Sequence, residues 1–171
     1  MAYFDLAAMQ ESAVKSLEKR LGFKRIFCLG SDAELMDNTN LQQDGRRKII
    51  KDDSSEMLAG GLKRNDVVAV MTGERSLSGK ELETLKEIGK PLLIPIARIT
   101  CASESERKNE LRRAKGTVRE AMLHGVPIAL ASLAERQECL MSAQQMLGIG
   151  GLLGLEGAAA QRTLGVLGDV L

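Results

Sequence analysis

The sequence predicts an α/β domain whose mostly parallel sheet is wrapped in helices. Three observations carry that expectation. Short β-like runs and helical runs alternate about six times along the chain, the pattern of strands joined by helical crossovers. "DVVAVM" (Asp66–Met71) is continuous, β-branched and bounded by polar residues, as a strand buried on both faces should be. Ser78 and Glu81 have the S-x-x-E spacing of a capping box, which places a helix start directly after that strand. Periodicity leaves a doubly wound sheet and a TIM-type barrel both open. A full eightfold barrel takes ~250 residues, so a barrel of 171 residues would be reduced or incompletely closed. No internal repeat divides the chain, and one domain over residues 1–171 is expected.

Taken in order, Tyr3–Leu6 reads as a short strand. Met9–Leu21 reads as a helix, with Val14, Leu17 and Leu21 on one face and Gly22 as its stop. "RIFCLG" (Arg25–Gly30) is an uninterrupted strand. Ser31–Asp44 is polar and irregular and is expected to be an exposed loop. "KIIK" reads as a short strand, and Asp53 or Ser54 as the cap of a helix over Ser55–Lys63. After Asp66–Met71 come the helix begun at Ser78, the strand "PLLIPI", a long charged helix over Ser103–His124 and the strand "PIALAS". A helix over Glu135–Leu147 and a last helix in "GLEGAAAQRTLGVLGDVL" complete the chain.

Composition narrows the functional classes. Hydrophobic residues are 44% and charged residues 27%, the balance of a globular protein. Aromatics are 2%, too few for platforms that stack single-stranded bases. The net charge of +1 confines any nucleic-acid role to local patches. Cys28, Cys101 and Cys139 lie far apart with no CxxC pair, so neither a disulfide framework nor a zinc site is expected, and a reducing cytoplasm is. The N-terminal "AYFDLAA" lacks a signal-peptide pattern, and Met146–Leu155 is too short to span a bilayer.

Candidate chemistry is sparse. "GSDAEL" and "SLSGKE" lack both nucleotide-binding fingerprints. Ser132 ends a strand, but the single histidine, His124, sits eight residues upstream, at the end of the preceding helix. A Ser-His-acid triad is therefore not expected. A barrel metal site would need histidine partners that Asp5 does not have. Neither cofactor nor metal is expected. A small α/β enzyme using Asp5, Ser132 and Glu135 at the strand C-termini is one alternative, and a protein-interaction module without RNA contact is another. On the long helix, Lys108, Arg112, Lys115 and Arg119 fall within about 60° of one another at 100° per residue. Such a stripe can track a phosphate backbone. It is equally what a solvated face makes by pairing with Glu104, Glu106, Glu110 and Glu120. Arg46, Arg47, Lys48 and Lys51 form a second basic cluster.

"VPIALASLAERQECLMSAQQMLGIGGLLGLEGAAAQ" resembles the end of the archaeal ribonuclease P protein component 3 family, related to the thirty-kilodalton eukaryotic subunit. "FDL", "DVVAV" and "LRRAK" stand where that family has similar residues. The family has an arginine where this chain has Met141 and a proline where it has Ala143. The resemblance implies a TIM-barrel-like fold and a noncatalytic, RNA-binding subunit of a cytoplasmic ribonucleoprotein that removes the 5′ leader of precursor tRNA. In that family the RNA holds the catalytic metals. The protein pairs with component 2 in a two-plus-two assembly, so its partners would be ribonuclease P RNA, component 2 and, indirectly, precursor tRNA. The RNA-binding residues expected here are Arg112, Arg113, Lys115, Arg119 and Arg136, followed by Lys108, Arg46 and Arg47. "GIGGLLGL" is an interface candidate, or else the join between two helices.

Overall fold

A computed structural model describes residues 2–36, 46–51 and 54–171. Among the described residues, seven parallel strands alternate with helices. They are β1 (Phe4–Ala7), β2 (Arg25–Cys28), β3 (Glu34–Met36), β4 (Lys48–Lys51), β5 (Val67–Met71), β6 (Leu92–Pro95) and β7 (Ile128–Ala131). The strands β3-β4-β5-β6-β7 form one five-stranded parallel sheet, and β1 pairs with β2 in a second. A parallel bridge, Leu29 to Ala33, connects the β2 side to the β3 side.

The helices are α1 (Glu11–Val14), α2 (Glu18–Leu21), α3 (Ser55–Leu62), α4 (Gly79–Glu87), α5 (Ala97–Thr100), α6 (Glu104–His124), α7 (Ala143–Leu152) and α8 (Ala158–Val170). The capping box read from Ser78 and Glu81 is formed at α4. Ser103 with Glu106 caps α6 in the same way, and Ser142 with Gln145 caps α7. Gly22 stops α2 at φ 82°, a conformation that costs a residue with a Cβ and is free to glycine.

Side chains alternate between two clusters, as period-2 strands require. Leu6, Phe27, Ala33, Ile49, Ala69, Met71, Leu93, Ala129 and Ala131 gather in one buried cluster to which every strand region contributes. The intervening residues Ile26, Cys28, Val70, Leu92, Ile94, Ile128 and Leu130 face Leu58, Leu82, Leu85, Val118, Met146 and Leu164 of the helices. A sheet buried on both faces favours apolar side chains throughout, which is why β5, β6 and β7 read as continuous apolar runs, while Asp5 of β1 and Lys48 of β4 are charged and buried.

The structure departs from the sequence reading in four places. The helix expected over Met9–Leu21 is two short pieces, α1 and α2, and Glu18 is drawn to the sheet, where its Oε1 accepts from Ile26 N at 2.9 Å. The stretch expected as an exposed loop contains β3, which pairs in parallel with β4 and buries Met36. The remainder of that stretch, residues 37–44, lies outside the described residues, as does Asp53. The helix expected from Glu135 starts at Ala143 instead. Before it, the chain makes an extended stretch and a 3-10 turn over Gln137–Cys139. Last, Cys101 and Cys139, 38 positions apart in sequence, are joined in a disulfide with Cα atoms 6.3 Å apart, whereas the sequence reading expected no such pairing. The turn after α5 and the segment after β7 rise from neighbouring strands, and only the fold brings them together.

Candidate functional site

Two regions collect the polar chemistry. The first is the C-terminal edge of the strands. Asp5 and Ser132 do come together there, as neighbours across β1 and the end of β7. Asp5 Oδ1 accepts from Ser132 N at 2.6 Å and from Leu6 N at 2.8 Å, and Ser132 Oγ donates to Leu6 O at 3.2 Å. Backbone bonds continue the join, from Leu133 N to Leu6 O at 2.8 Å and from Ala8 N to Ala134 O at 3.0 Å. Both side chains are fully buried, and burial pushes the Asp5 carboxyl up to about 6. This arrangement is a clasp between the first and last strands. The hydroxyl is committed to a carbonyl and Asp5 Oδ1 to two backbone N–H groups, while the buried Oδ2 has no hydrogen-bond partner among the described residues, so the pair is not arranged as a nucleophile with its base.

Above the clasp lies a cavity of about 470 Å³. The ends of six strands reach it through Ala8, Leu29, Leu35, Lys51, Met71 and Pro95. Arg98 of α5 and Glu135 and Arg136 of the post-β7 segment add charge, and the Cys101–Cys139 disulfide sits on its wall. Arg98 Nη1 donates to the carbonyl oxygens of Thr72 at 3.1 Å and Gly73 at 3.2 Å. Exposed Arg136 lies 3.5 Å from Glu138. Leu133, which also lines the cavity, has φ 47°, a left-handed conformation that costs a leucine on the order of 1–3 kcal/mol.

The second region is the outer face of α6. Lys108, Arg112, Lys115 and Arg119 are exposed, while Arg113 is half-buried and ion-paired with Glu110. The stripe borders two grooves. Arg112, Arg113 and Arg119 line one of about 410 Å³ against Ser76 and Leu77, in the segment before α4. Lys115 and Arg119 border another with the exposed apolar residues Met122, Leu123 and Leu152. The remaining expected RNA residues lie elsewhere. Arg46 and Arg47 precede β4, at the N-terminal end of the strands, where Arg46 bonds Glu34 of β3 at 2.6 Å. Arg136 is at the opposite, C-terminal end. Five of the eight residues therefore share one helix, and the other three do not join them.

Arg98 was missed by the sequence reading because α5, a four-residue helix directly after β6, has no periodicity to announce it. The start of α7 did carry a signal, the S-x-x-Q capping spacing of Ser142 and Gln145. Ala143 is the first residue of that helix, the position where proline is tolerated best. Met141 is half-buried against the core, so no cation emerges at that point of the surface. Within "GIGGLLGL", Gly150 is buried, and a Cβ there would stand 3.1 Å from Leu130 Cδ1. That part of the segment packs α7 onto the sheet. His124 ends α6 as expected and packs beside Gly79 at the start of α4. Among the described residues, no group of three or more histidine, cysteine, aspartate or glutamate side chains is placed to hold a metal ion, and no helix is long and apolar enough to cross a membrane.

No protein-family model and no curated protein matches the chain. Solved structures do. A chain in the cryo-EM structure of an archaeal ribonuclease P with mature tRNA superimposes with a TM-score of 0.66 at 12% identity, over 98% of this chain and 89% of that one. A crystal structure of an uncharacterized protein superimposes with a TM-score of 0.50 at 10% identity, over 74% of this chain and 35% of that one. At these identities the likeness is one of fold.

Proposed function

We propose that this chain is a noncatalytic, RNA-binding protein subunit of a ribonuclease P, of the component 3 type, which supports the catalytic RNA in removing the 5′ leader of precursor tRNA. The observation that carries this reading is the end-to-end match of its fold to a chain of an archaeal ribonuclease P. It coincides with the independent resemblance of residues 126–161 to the component 3 family. A likeness covering 98% of one chain and 89% of the other leaves little room for an unrelated domain.

The fold would then be one domain, a reduced TIM-like barrel. The bridge between Leu29 and Ala33 and the clasp between β1 and the end of β7 support it, as does the buried cluster to which β1, β2, β4, β5, β6 and β7 contribute together with Ala33 beside β3. RNA contact falls to the exposed cations of α6, Lys108, Arg112, Lys115 and Arg119, with Arg113 behind them. Arg136 and the pair Arg46 and Arg47 would meet other parts of the RNA or none. Component 2 is the expected protein partner, in a two-plus-two assembly. The compartment would be the cytoplasm, and the Cys101–Cys139 disulfide is the feature at odds with it. Cytoplasmic disulfides are common chiefly in hyperthermophiles.

Reconstitution tests the proposal. Ribonuclease P RNA and the other subunits should process precursor tRNA better with this chain than without it. Binding of the chain to that RNA should weaken steeply with salt, and Arg112→Glu with Lys115→Glu should lower the salt slope by roughly 2. No salt-sensitive affinity for the RNA would sink the reading.

A further inference from the structure

We propose that the cavity at the C-terminal ends of the strands binds a small phosphate monoester of mononucleotide size. The proposal goes beyond the RNA-binding reading, which uses the outer face of α6. Its volume of about 470 Å³ lies in the range of small-molecule sites, ~300–1,000 Å³. Its position is the one where parallel α/β folds place their ligands, because the strand ends leave a crevice that the following loops can furnish.

The lining has two characters. Ala8, Leu29, Met71 and Pro95 make an apolar floor. The charged side chains are Lys51, Arg98, Arg136 and Glu135, and Arg136 also lies 3.5 Å from Glu138. Arg98 matters most. Two carbonyl oxygens hold its Nη1, at 3.1 and 3.2 Å, so the guanidinium is fixed before any ligand arrives. Among the described residues no carboxylate pairs with it, although it is half-buried. A fixed, half-buried guanidinium without a counter-ion is preorganised for a phosphoryl group, whose oxygens match its planar fork.

Two further observations agree. Leu133 holds a costly left-handed backbone at the cavity wall, and such strain concentrates at ligand sites. The Cys101–Cys139 disulfide ties the two wall segments together, which keeps the loop bearing Glu135 and Arg136 against the loop bearing Ala102. The apolar floor suits the body of a nucleotide, and the cations suit its phosphate.

Isothermal titration and thermal shift on the full chain test this, with inorganic phosphate, adenosine 5′-monophosphate and adenosine as probes. Saturable millimolar or tighter binding is expected for the first two and not for adenosine. Arg98→Gln should weaken it at least tenfold. Should Arg98→Gln fail to fold, Ala102→Trp, which fills the cavity from its half-exposed rim, should abolish binding instead. A short oligoribonucleotide with and without a 5′-phosphate separates the two sources of the same chemistry. Binding of the phosphorylated oligonucleotide that depends on Arg98, with none of the mononucleotide, overturns the proposal in favour of an RNA end. No saturable binding of phosphate or mononucleotide, or binding untouched by both variants, overturns it outright.

Discussion

The two flanks of β7 are joined to their neighbours by different means. On one side β7 meets β6 in a regular parallel ladder, Leu92 to Ile128 through Pro95 to Ala131, between residues that are all buried. On the other side the end of β7 meets β1 through side chains, the buried carboxylate of Asp5 and the hydroxyl of Ser132, helped by two backbone bonds. α8 lies against both β7 and β1 there. It comes so close that a Cβ on Gly168 would stand 2.2 Å from the Phe4 ring. The ladder depends on apolar packing and tolerates change at any single polar group. The clasp depends on a few polar atoms, so it should respond to pH and to single substitutions that the ladder would ignore.

Breaking the ladder side should cost most. Leu93→Ala empties fully buried volume in the cluster shared by the strands, and chemical denaturation should report a loss of about 2–5 kcal/mol. Next is the covalent tie above both flanks. Cys139→Ser removes a link between positions 38 apart and should cost about 2–4 kcal/mol, and thiol titration of the unfolded, unsubstituted chain should find one free thiol before reduction and three after, against two in the variant under both conditions.

The clasp comes third. Asp5→Ala leaves the buried Ser132 N–H without its acceptor, worth about 1–3 kcal/mol, whereas Asp5→Asn keeps a carbonyl oxygen there and should cost less. The pH dependence sharpens the distinction. Because the folded Asp5 carboxyl is raised from 3.8 to about 6, the folded state holds its proton more tightly than the unfolded chain. Its contribution is fully present below about pH 4 and is lost as pH rises through about 6, and Asp5→Asn should flatten that part of the stability curve. Glu81 has the opposite sign. The Arg75 guanidinium holds its carboxyl down at about 2, so its stabilisation is present above about pH 4.5 and lost as pH falls toward 2. The smallest effect belongs to Ser132→Ala, about 0.5–1.5 kcal/mol, since it removes one hydrogen bond from Ser132 Oγ to Leu6 O.

Legibility followed the range of each interaction. The β5 run, the Ser78–Glu81 capping box, the Gly22 stop and the C-terminal end of α6 at His124 were readable because each rests on residues within one or two turns. β3 was not, because its three residues become a strand only by pairing with β4. The stretch 135–142 misled for the same reason. Its composition suits a helix, yet Gln137 Nε2 reaches back to Ala13 O at 3.1 Å, and Cys139 is held by Cys101. At the candidate sites, the α6 stripe could be drawn on a helical wheel. The cavity could not, since Arg98, Lys51 and Arg136 approach one another only when three crossovers end on the same edge of the sheet.

The sequence by itself determined the alternation of strand and helix, the apolar character of the strands and the basic face of α6. These follow from period, propensity and local capping. Only the tertiary structure decided that Asp5 and Ser132 form a clasp rather than a catalytic pair, that two distant cysteines meet, and that the strand ends enclose a cationic cavity. The physical reason is common to all three. A buried carboxylate, a cystine and a cavity are set by what stands opposite in space, and residues 127 positions apart have no local term that records their meeting.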